Sequence, residues 1–345
     1  MLEELRKSPV PAADAAAASP RLQTLLNHVQ LLDPVTWLGP WQCFCCGVLA
    51  TGLHLLDLTL LDGVKFFLAC GLIGPLLTGF SQSINDYFDR HLDAINDPER
   101  PIPSGRISLS AARANFTLTG LLALGNMSLL YVITGSLLIL ILGIAGLFLA
   151  YAYSAPGFRL KENGWLGTTS VGIGYCLVPW LLAAHLFSRE PGFPSFHLAL
   201  GVVNALVAMG LITMNDFKSI EGDRKNNLRT LPVLYGERGA MLIAFAEINL
   251  AQVIFVITCL LFGYVTIGWL GIAFFVPQLV QQVQLYRAPN DSRLLESIGR
   301  NAAGRSLVSQ SQSGAHPGFI RFLVGSNLLT VTALTAVSIV HGYWR

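Results

Sequence analysis

Charge is scarce in this chain. Only 12% of its 345 residues are Asp, Glu, Lys or Arg, while 53% are hydrophobic and the mean hydropathy is +0.56. A soluble domain carries about 25% charge. Half that density excludes an ordinary soluble globule and leaves an all-α, polytopic membrane protein. Runs of basic residues are also missing, and with a net charge of +2 nothing points to nucleic acid as a partner. Thiols are few. Cys43, Cys45, Cys46, Cys70, Cys176 and Cys259 all fall in apolar stretches. No His or further thiol cluster completes a metal site around the first three, so they read as small packing residues. The N-terminus lacks the apolar core of a cleaved signal, and its Ala/Pro-rich part reads as disordered.

Long apolar runs are what the chain has in quantity. Nine stretches approach the about 20 residues that cross a bilayer, at 37–56, 66–85, 114–133, 136–155, 165–187, 196–215, 240–264, 265–286 and 322–340. Residues 1–34 form an N-terminal segment, partly disordered, and 35–345 a single transmembrane domain whose polar connection 288–319 is the mobile loop. With the N-terminus inside, all of the 22 Lys and Arg except Lys65, Arg189 and Arg345 fall on one face. That asymmetry predicts a cytoplasmic basic face, and an odd number of spans puts the C-terminus on the opposite side.

Where the second apolar run ends, residues 85–105 read NDYFDRHLDAINDPERPIPSG. Asn85, Asp89 and Asp93 are spaced i, i+4, i+8. Each step of four advances about 40° around an α-helix, so their oxygens form one stripe, with Asp86 off it. Hard oxygens on consecutive turns suit Mg²⁺ shared with a phosphate-bearing substrate and water. The bland reading is a solvated helix end. An echo weakens it: NDFKSIEGDRKNNLRTLPV runs from Asn215 to Val233. Asn215, Ser219 and Asp223 repeat the spacing, Asp216 repeats Asp86, and both stretches lead into proline-containing loops on the same membrane face. Acids at membrane depth are costly and functional by default.

Two facing acidic stripes could hold two Mg²⁺ ions against a diphosphate, neutralising and templating a leaving group. Arg100, Arg159, Lys161 and Lys218 can reach phosphate oxygens, although basic residues at span ends also simply fix topology. The rest of such a substrate, drawn from the lipid bilayer, would be lipid-like.

The stretch NDYFDRHLDAINDPERPIPSGRIS, together with YSAPGFRLKENGWLG (153–167) and NDFKSIEGDR…LRTLPV, resembles the intramembrane prenyltransferases of the UbiA superfamily. Within it the chain is similar to the chlorophyll and bacteriochlorophyll synthases over roughly 35–285. The resemblance implies a nine-helix bundle with a central cavity and a cytoplasmic polar cap. It implies esterification of the propionate of a chlorophyllide or bacteriochlorophyllide by a geranylgeranyl, phytyl or farnesyl group from its diphosphate. By position, Asn85, Asp89 and Asp93 would serve one Mg²⁺, and Asp216 and Asp223 the second. Arg100, Arg159, Lys161 and Lys218 would hold diphosphate; Arg100, Lys161 and Tyr153 would be catalytic, Tyr153 by shielding or orienting the allylic carbon. FDRH, SGRI and LRTLPV favour the bacteriochlorophyll branch and a photosynthetic membrane, where other pigment-biosynthesis or photosystem assembly proteins are candidate partners.

Two departures stand out: Ser219 replaces an Asp common in the superfamily, and Gly157 replaces an expected proline. A quinone or haem prenyltransferase is the alternative within the superfamily. A transporter would carry acids in mid-span, where Glu247 stands alone. A pigment-binding protein could draw on the seven His residues.

Overall fold

The computed structural model describes residues 19–53, 57–188, 195–287 and 333–341. The polar 288–319 connection and the N-terminal 1–18 therefore lie outside the described residues. The described residues hold no strand; one isolated parallel bridge joins Asn163 to Arg229.

A polar helix α1 (Pro20–Leu31), capped by Ser19, leads through the 3-10 turn Pro34–Trp37 into α2 (Leu38–Ala50). Next come α3 (Leu60–Gly71) and α4 (Gly79–Asn96), joined without a break by the π-helical stretch Leu72–Thr78. A hairpin follows: α5 (Leu109–Thr134), Gly135 in the left-handed region (φ 68°), and α6 (Leu137–Ser154). Helix α7 (Gly164–Val171) continues through a second π stretch, Gly172–Leu177, into α8 (Val178–Phe187). The remainder is α9 (Ser195–Asn215), a 3-10 turn Asp216–Ser219, α10 (Ile220–Lys225), α11 (Leu231–Leu261) and α12 (Val265–Arg287).

Among the described residues seven helical spans are long and apolar enough to cross a membrane, from Leu60–Ala94 to Val265–Arg287. Two of the nine expected spans are not among them. The first, at 37–56, is α2, which ends at Ala50 after 13 residues. At 1.5 Å per residue that is about 20 Å, short of a hydrocarbon core of about 30 Å. The last, at 322–340, falls mainly outside the described residues, which show helix only at 333–341. The expected division between the seventh and eighth stretches holds, with Gly263 turning the chain at φ 85°.

Both π stretches have a proline behind them. Pro75 lies inside the first, and Pro179 follows the second in the first turn of α8. Proline lacks an N–H and crowds the carbonyl four residues back, so the helix widens rather than stops. A carbonyl of the widened turn is satisfied locally, as the Thr78 hydroxyl donates to the Ile73 carbonyl at 2.7 Å.

Lipid tails are as apolar as Leu, so helices in a bilayer associate through close packing of small residues. Helix α9 lies on α11 at Gly210, where a Cβ would stand 2.6 Å from Ile248 Cγ1 and 2.8 Å from the Ala244 carbonyl. On α5, Gly125 has nothing within 4 Å of its Cβ direction. Gly210→Ala should therefore push α9 away from α11, costing about 1–3 kcal/mol. Gly125→Ala should be neutral or stabilise by about 0.5–1 kcal/mol through helix propensity. Thermal unfolding of the two variants in detergent checks this; equal melting temperatures would contradict the contact.

Candidate active site

The site is built at the end of α4. Amphipathic spacing there puts Asn85, Asp89 and Asp93 on one face of a regular α-helix, as the sequence predicts. The Asn85 amide donates to Asp89 Oδ2 and to Ser154 Oγ of α6, both at 3.0 Å. Lys161, on the 3-10 turn Leu160–Glu162, forms a short ion pair with Asp89. Arg159 lies 3.8 Å from the same carboxylate and 2.7 Å from Glu162. Arg100 reaches back from the loop after α4 to Asp86 at 2.5 Å, Asp93 at 3.6 Å and Asp97 at 3.4 Å.

Electrostatics follow from burial. Burial pulls the Lys161 ammonium below its ordinary range, with the Asp89 carboxylate opposing it. For Arg100 burial also pulls downward, but Asp86, Asp93 and Asp97 outweigh it and hold the guanidinium above its usual value. Asp93 is buried, and its Oδ2 has no hydrogen-bond partner.

The second motif departs from expectation. Asn215, Ser219 and Asp223 do not form a stripe on one regular helix, because the chain tightens to a 3-10 turn at Asp216–Ser219 before α10. A 3-10 turn advances about 120° per residue, so Ser219 falls out of register with Asn215. Phe217, on that turn, is buried in a cluster with Met214, Leu231, Met241 and Leu285. Asp216 and Asp223 nevertheless converge, lining a polar pocket of about 110 Å³ with Lys161, Tyr153, Thr168 and Thr230. Thr230 donates to Asp223 Oδ2 at 3.2 Å. Lys218 sits on the 3-10 turn, but its side chain, like that of Ser219, lies outside what the structure describes.

Two backbone hydrogen bonds join the loops of the two motifs. The Gly164 N–H donates to the Arg229 carbonyl and the Arg229 N–H to the Glu162 carbonyl, both at 2.9 Å. The approach requires glycine, since a Cβ at Gly164 would stand 2.7 Å from the Leu231 nitrogen. Lys161 thus touches Asp89 of the first motif and lines the pocket of the second.

Beneath this layer opens a larger cavity of about 380 Å³. Asn85, Asn215 and Tyr153 line its polar end, and Ile73, Leu77, Leu149 and Val178 its apolar walls. Tyr153 and Ile212 line both spaces, so the polar pocket and the cavity adjoin. Among the described residues no three His, Cys, Asp or Glu side chains converge on a single metal position. The carboxylates of the first motif are turned toward Arg100 and Lys161 instead.

Spacing alone sets Asp86 off the stripe without a role, though it anchors Arg100, and does not single out Ser154 and Thr230, which orient Asn85 and Asp223. For Asp86 the signal was present: it holds the same place in its motif as Asp216 in the second.

A helical membrane bundle with a layer of acids and cations over an apolar cavity defines an enzyme class handling a polyanionic head on a hydrocarbon tail. The model of the UbiA prenyltransferase family matches residues 41–299, and the chain belongs to that family. It is 38% identical over 245 residues to the bacteriochlorophyll synthase 33 kDa chain of Rhodobacter capsulatus, covering 68% of this chain and 75% of that one. It is 36% identical over 263 residues to the chloroplastic chlorophyll synthase of Avena sativa, covering 75% and 68%. The fold is similar to that of a UbiA homolog from Archaeoglobus fulgidus bound to GPP and Mg²⁺, with a TM-score of 0.61 at 18% identity, over 90% of this chain and 99% of that one.

Arg100→Ala would leave Asp86 buried beside other acids without its cation. Arg100 is 38% exposed, so screening puts the expected loss of stability near the low end of about 1–3 kcal/mol. Adding Asp86→Asn should recover some of it, measured by thermal unfolding of single and double variants. A double variant no more stable than Arg100→Ala alone would contradict the pairing.

Proposed function

We propose that this chain is a chlorophyll or bacteriochlorophyll synthase. It would transfer a geranylgeranyl, phytyl or farnesyl group from its diphosphate to the propionate carboxylate of chlorophyllide or bacteriochlorophyllide. The observation that carries the reading is the juxtaposition at Asn85 and Tyr153 of the acid and cation layer with a cavity whose deeper walls are apolar. A diphosphate matches the first and a prenyl tail the second. The relatives named synthases supply the acceptor. At 38% and 36% identity they do not separate the two branches; FDRH, SGRI and LRTLPV favour the bacteriochlorophyll one.

Asn85, Asp89 and Asp93, with Asp216 and Asp223, are of the right type to hold Mg²⁺: all are hard oxygen donors, and Asp93 Oδ2 is a buried oxygen without a hydrogen bond. Because these side chains do not converge in threes, the coordination shells would be completed by substrate oxygens and water. Bound there, two Mg²⁺ ions would neutralise and template the diphosphate. Arg100, Arg159 and Lys161 would exchange some of their contact with carboxylates for phosphate oxygens, and Lys218 would add a fourth cation. The C1–O bond breaks with its electron pair leaving on diphosphate, while a carboxylate oxygen forms the new bond to C1. That carboxylate is ionised at neutral pH, so no general base is required. Tyr153 shields the allylic carbon, and the cavity keeps water from it.

In this reading the bundle has nine spans, with the N-terminus and site on the cytoplasmic face of a photosynthetic membrane and the C-terminus opposite. Other pigment-synthesis or photosystem assembly proteins would be its neighbours there.

The deciding assay crosses chlorophyllide, bacteriochlorophyllide, hydroxybenzoate and haem acceptors with farnesyl, geranylgeranyl and phytyl diphosphates, with mass analysis of products. Esters of a chlorophyllide are expected; prenylation of hydroxybenzoate or haem instead would overturn the assignment. Chelation of divalent ions should abolish activity and added Mg²⁺ restore it. Asp89→Asn and Asp93→Asn should each lower turnover at least about 100-fold, comparable to losing about 3 kcal/mol of transition-state stabilisation, while the protein still inserts. Near-normal activity of either would refute its role as a metal ligand.

A further inference from the structure

One hydrogen-bonded set in the large cavity takes no part in the ionisation of the diphosphate. The Gln82 side-chain amide donates to the Tyr175 hydroxyl at 3.1 Å, and both residues line the cavity. Thr36, on the turn before α2, also lines it. The Thr36 hydroxyl donates to the Asp33 carbonyl at 2.7 Å. Gln82 spends one of its two amide N–H groups on Tyr175, and the second remains available in the cavity.

Three features show that the position is selective. Tyr175 belongs to the π stretch Gly172–Leu177, and such widenings recur at functional sites because they re-aim side chains. Gln82 lies one turn before Asn85 on α4, about 4.5 Å along the axis, which sets it just below the proposed diphosphate site. The walls beyond it are apolar (Ile73, Leu77, Val178), and an amide–phenol pair contributes nothing to holding a hydrocarbon tail.

We infer that Gln82, oriented by Tyr175, is a positioning residue for the acceptor: its second N–H donates to one carboxylate oxygen and holds the other oxygen toward C1. A donor N–H suits an anionic acceptor. The inference rests on the proposed transferase reading, which supplies the carboxylate.

The test uses the full chain in membranes or nanodiscs, with the prenyl diphosphate and acceptor varied separately. Gln82→Leu and Tyr175→Phe should raise KM for the acceptor about tenfold, as loss of a hydrogen bond to a charged group predicts, while KM for the diphosphate stays within about twofold. Gln82→Glu, of the same shape but anionic, should impair acceptor binding more than Gln82→Leu. Prenol released by hydrolysis should rise relative to ester, because a misplaced carboxylate leaves C1 to water. Gln82→Asn should recover some of the lost acceptor affinity. Equal rises in both KM values, or an unchanged ratio of prenol to ester, would overturn the inference and leave Gln82 and Tyr175 as a structural tie. If the wild-type chain prenylates an acceptor without a carboxylate, the proposed function fails on its own. The same variants measured with that acceptor then decide the role of Gln82 separately.

Discussion

Carboxylates at membrane depth must be neutralised, and this requirement organises the polar end of the bundle. Asp86, Asp89 and Asp93 fall within two turns of α4, and Asp86 and Asp93 are buried. Like charges this close in a medium of low dielectric repel strongly unless cations stand between them. Arg100 answers from the loop after α4, and Lys161 and Arg159 from the loop after α6. Each loop is tied down on its far side as well. Arg106 joins the first to α1 through Asn27 at 3.2 Å and Gln30 at 2.8 Å, and the Asn163–Arg229 bridge joins the second to the segment before α11. The cations are therefore pre-positioned where a diphosphate would meet them, and they balance the acids in its absence.

Strong local signals were readable in the sequence. The four-residue spacing of Asn85, Asp89 and Asp93 defines a helical stripe whatever surrounds it, and Thr134-Gly135 marks a hairpin because glycine accepts the left-handed turn found there. What could not be read depends on long-range packing. The second motif leaves its apparent repeat at the 3-10 turn Asp216–Ser219, where Phe217 is buried against Met241 and Leu285. The role of Asp86 needed the return path of Arg100, which spacing along one helix does not contain.

Gly157 shows how a single departure becomes legible only with coordinates. Its φ of 94° lies outside anything proline can adopt, so a proline there would require a different turn. Two residues later Arg159 is also in the left-handed region, at φ 38°, a conformation uncommon for a residue with a side chain. The guanidinium so presented reaches both Glu162 and Asp89. The two left-handed positions make this the tightest stretch of the loop, and they deliver a cation to the carboxylate at the centre of the stripe.

The vertical order of the site separates three kinds of recognition that obey different physics. The acid and cation layer attracts a polyanion by charge, which acts over several ångströms and is insensitive to the tail attached. The apolar walls select a tail by accumulated burial, about 0.8 kcal/mol per CH₂, so discrimination there is graded with length. An acceptor must be told apart by groups that would be left unpaired if the wrong molecule bound, which is the most stringent of the three. Asn85 stands at the boundary of the first two, since it bonds Asp89 above and lines the cavity below. Any acceptor oxygen has to arrive within reach of that boundary, because C1 is the carbon at which the tail joins the diphosphate. A polar group is useful for the acceptor only within about a turn of Asn85, and Gln82 lies at that distance.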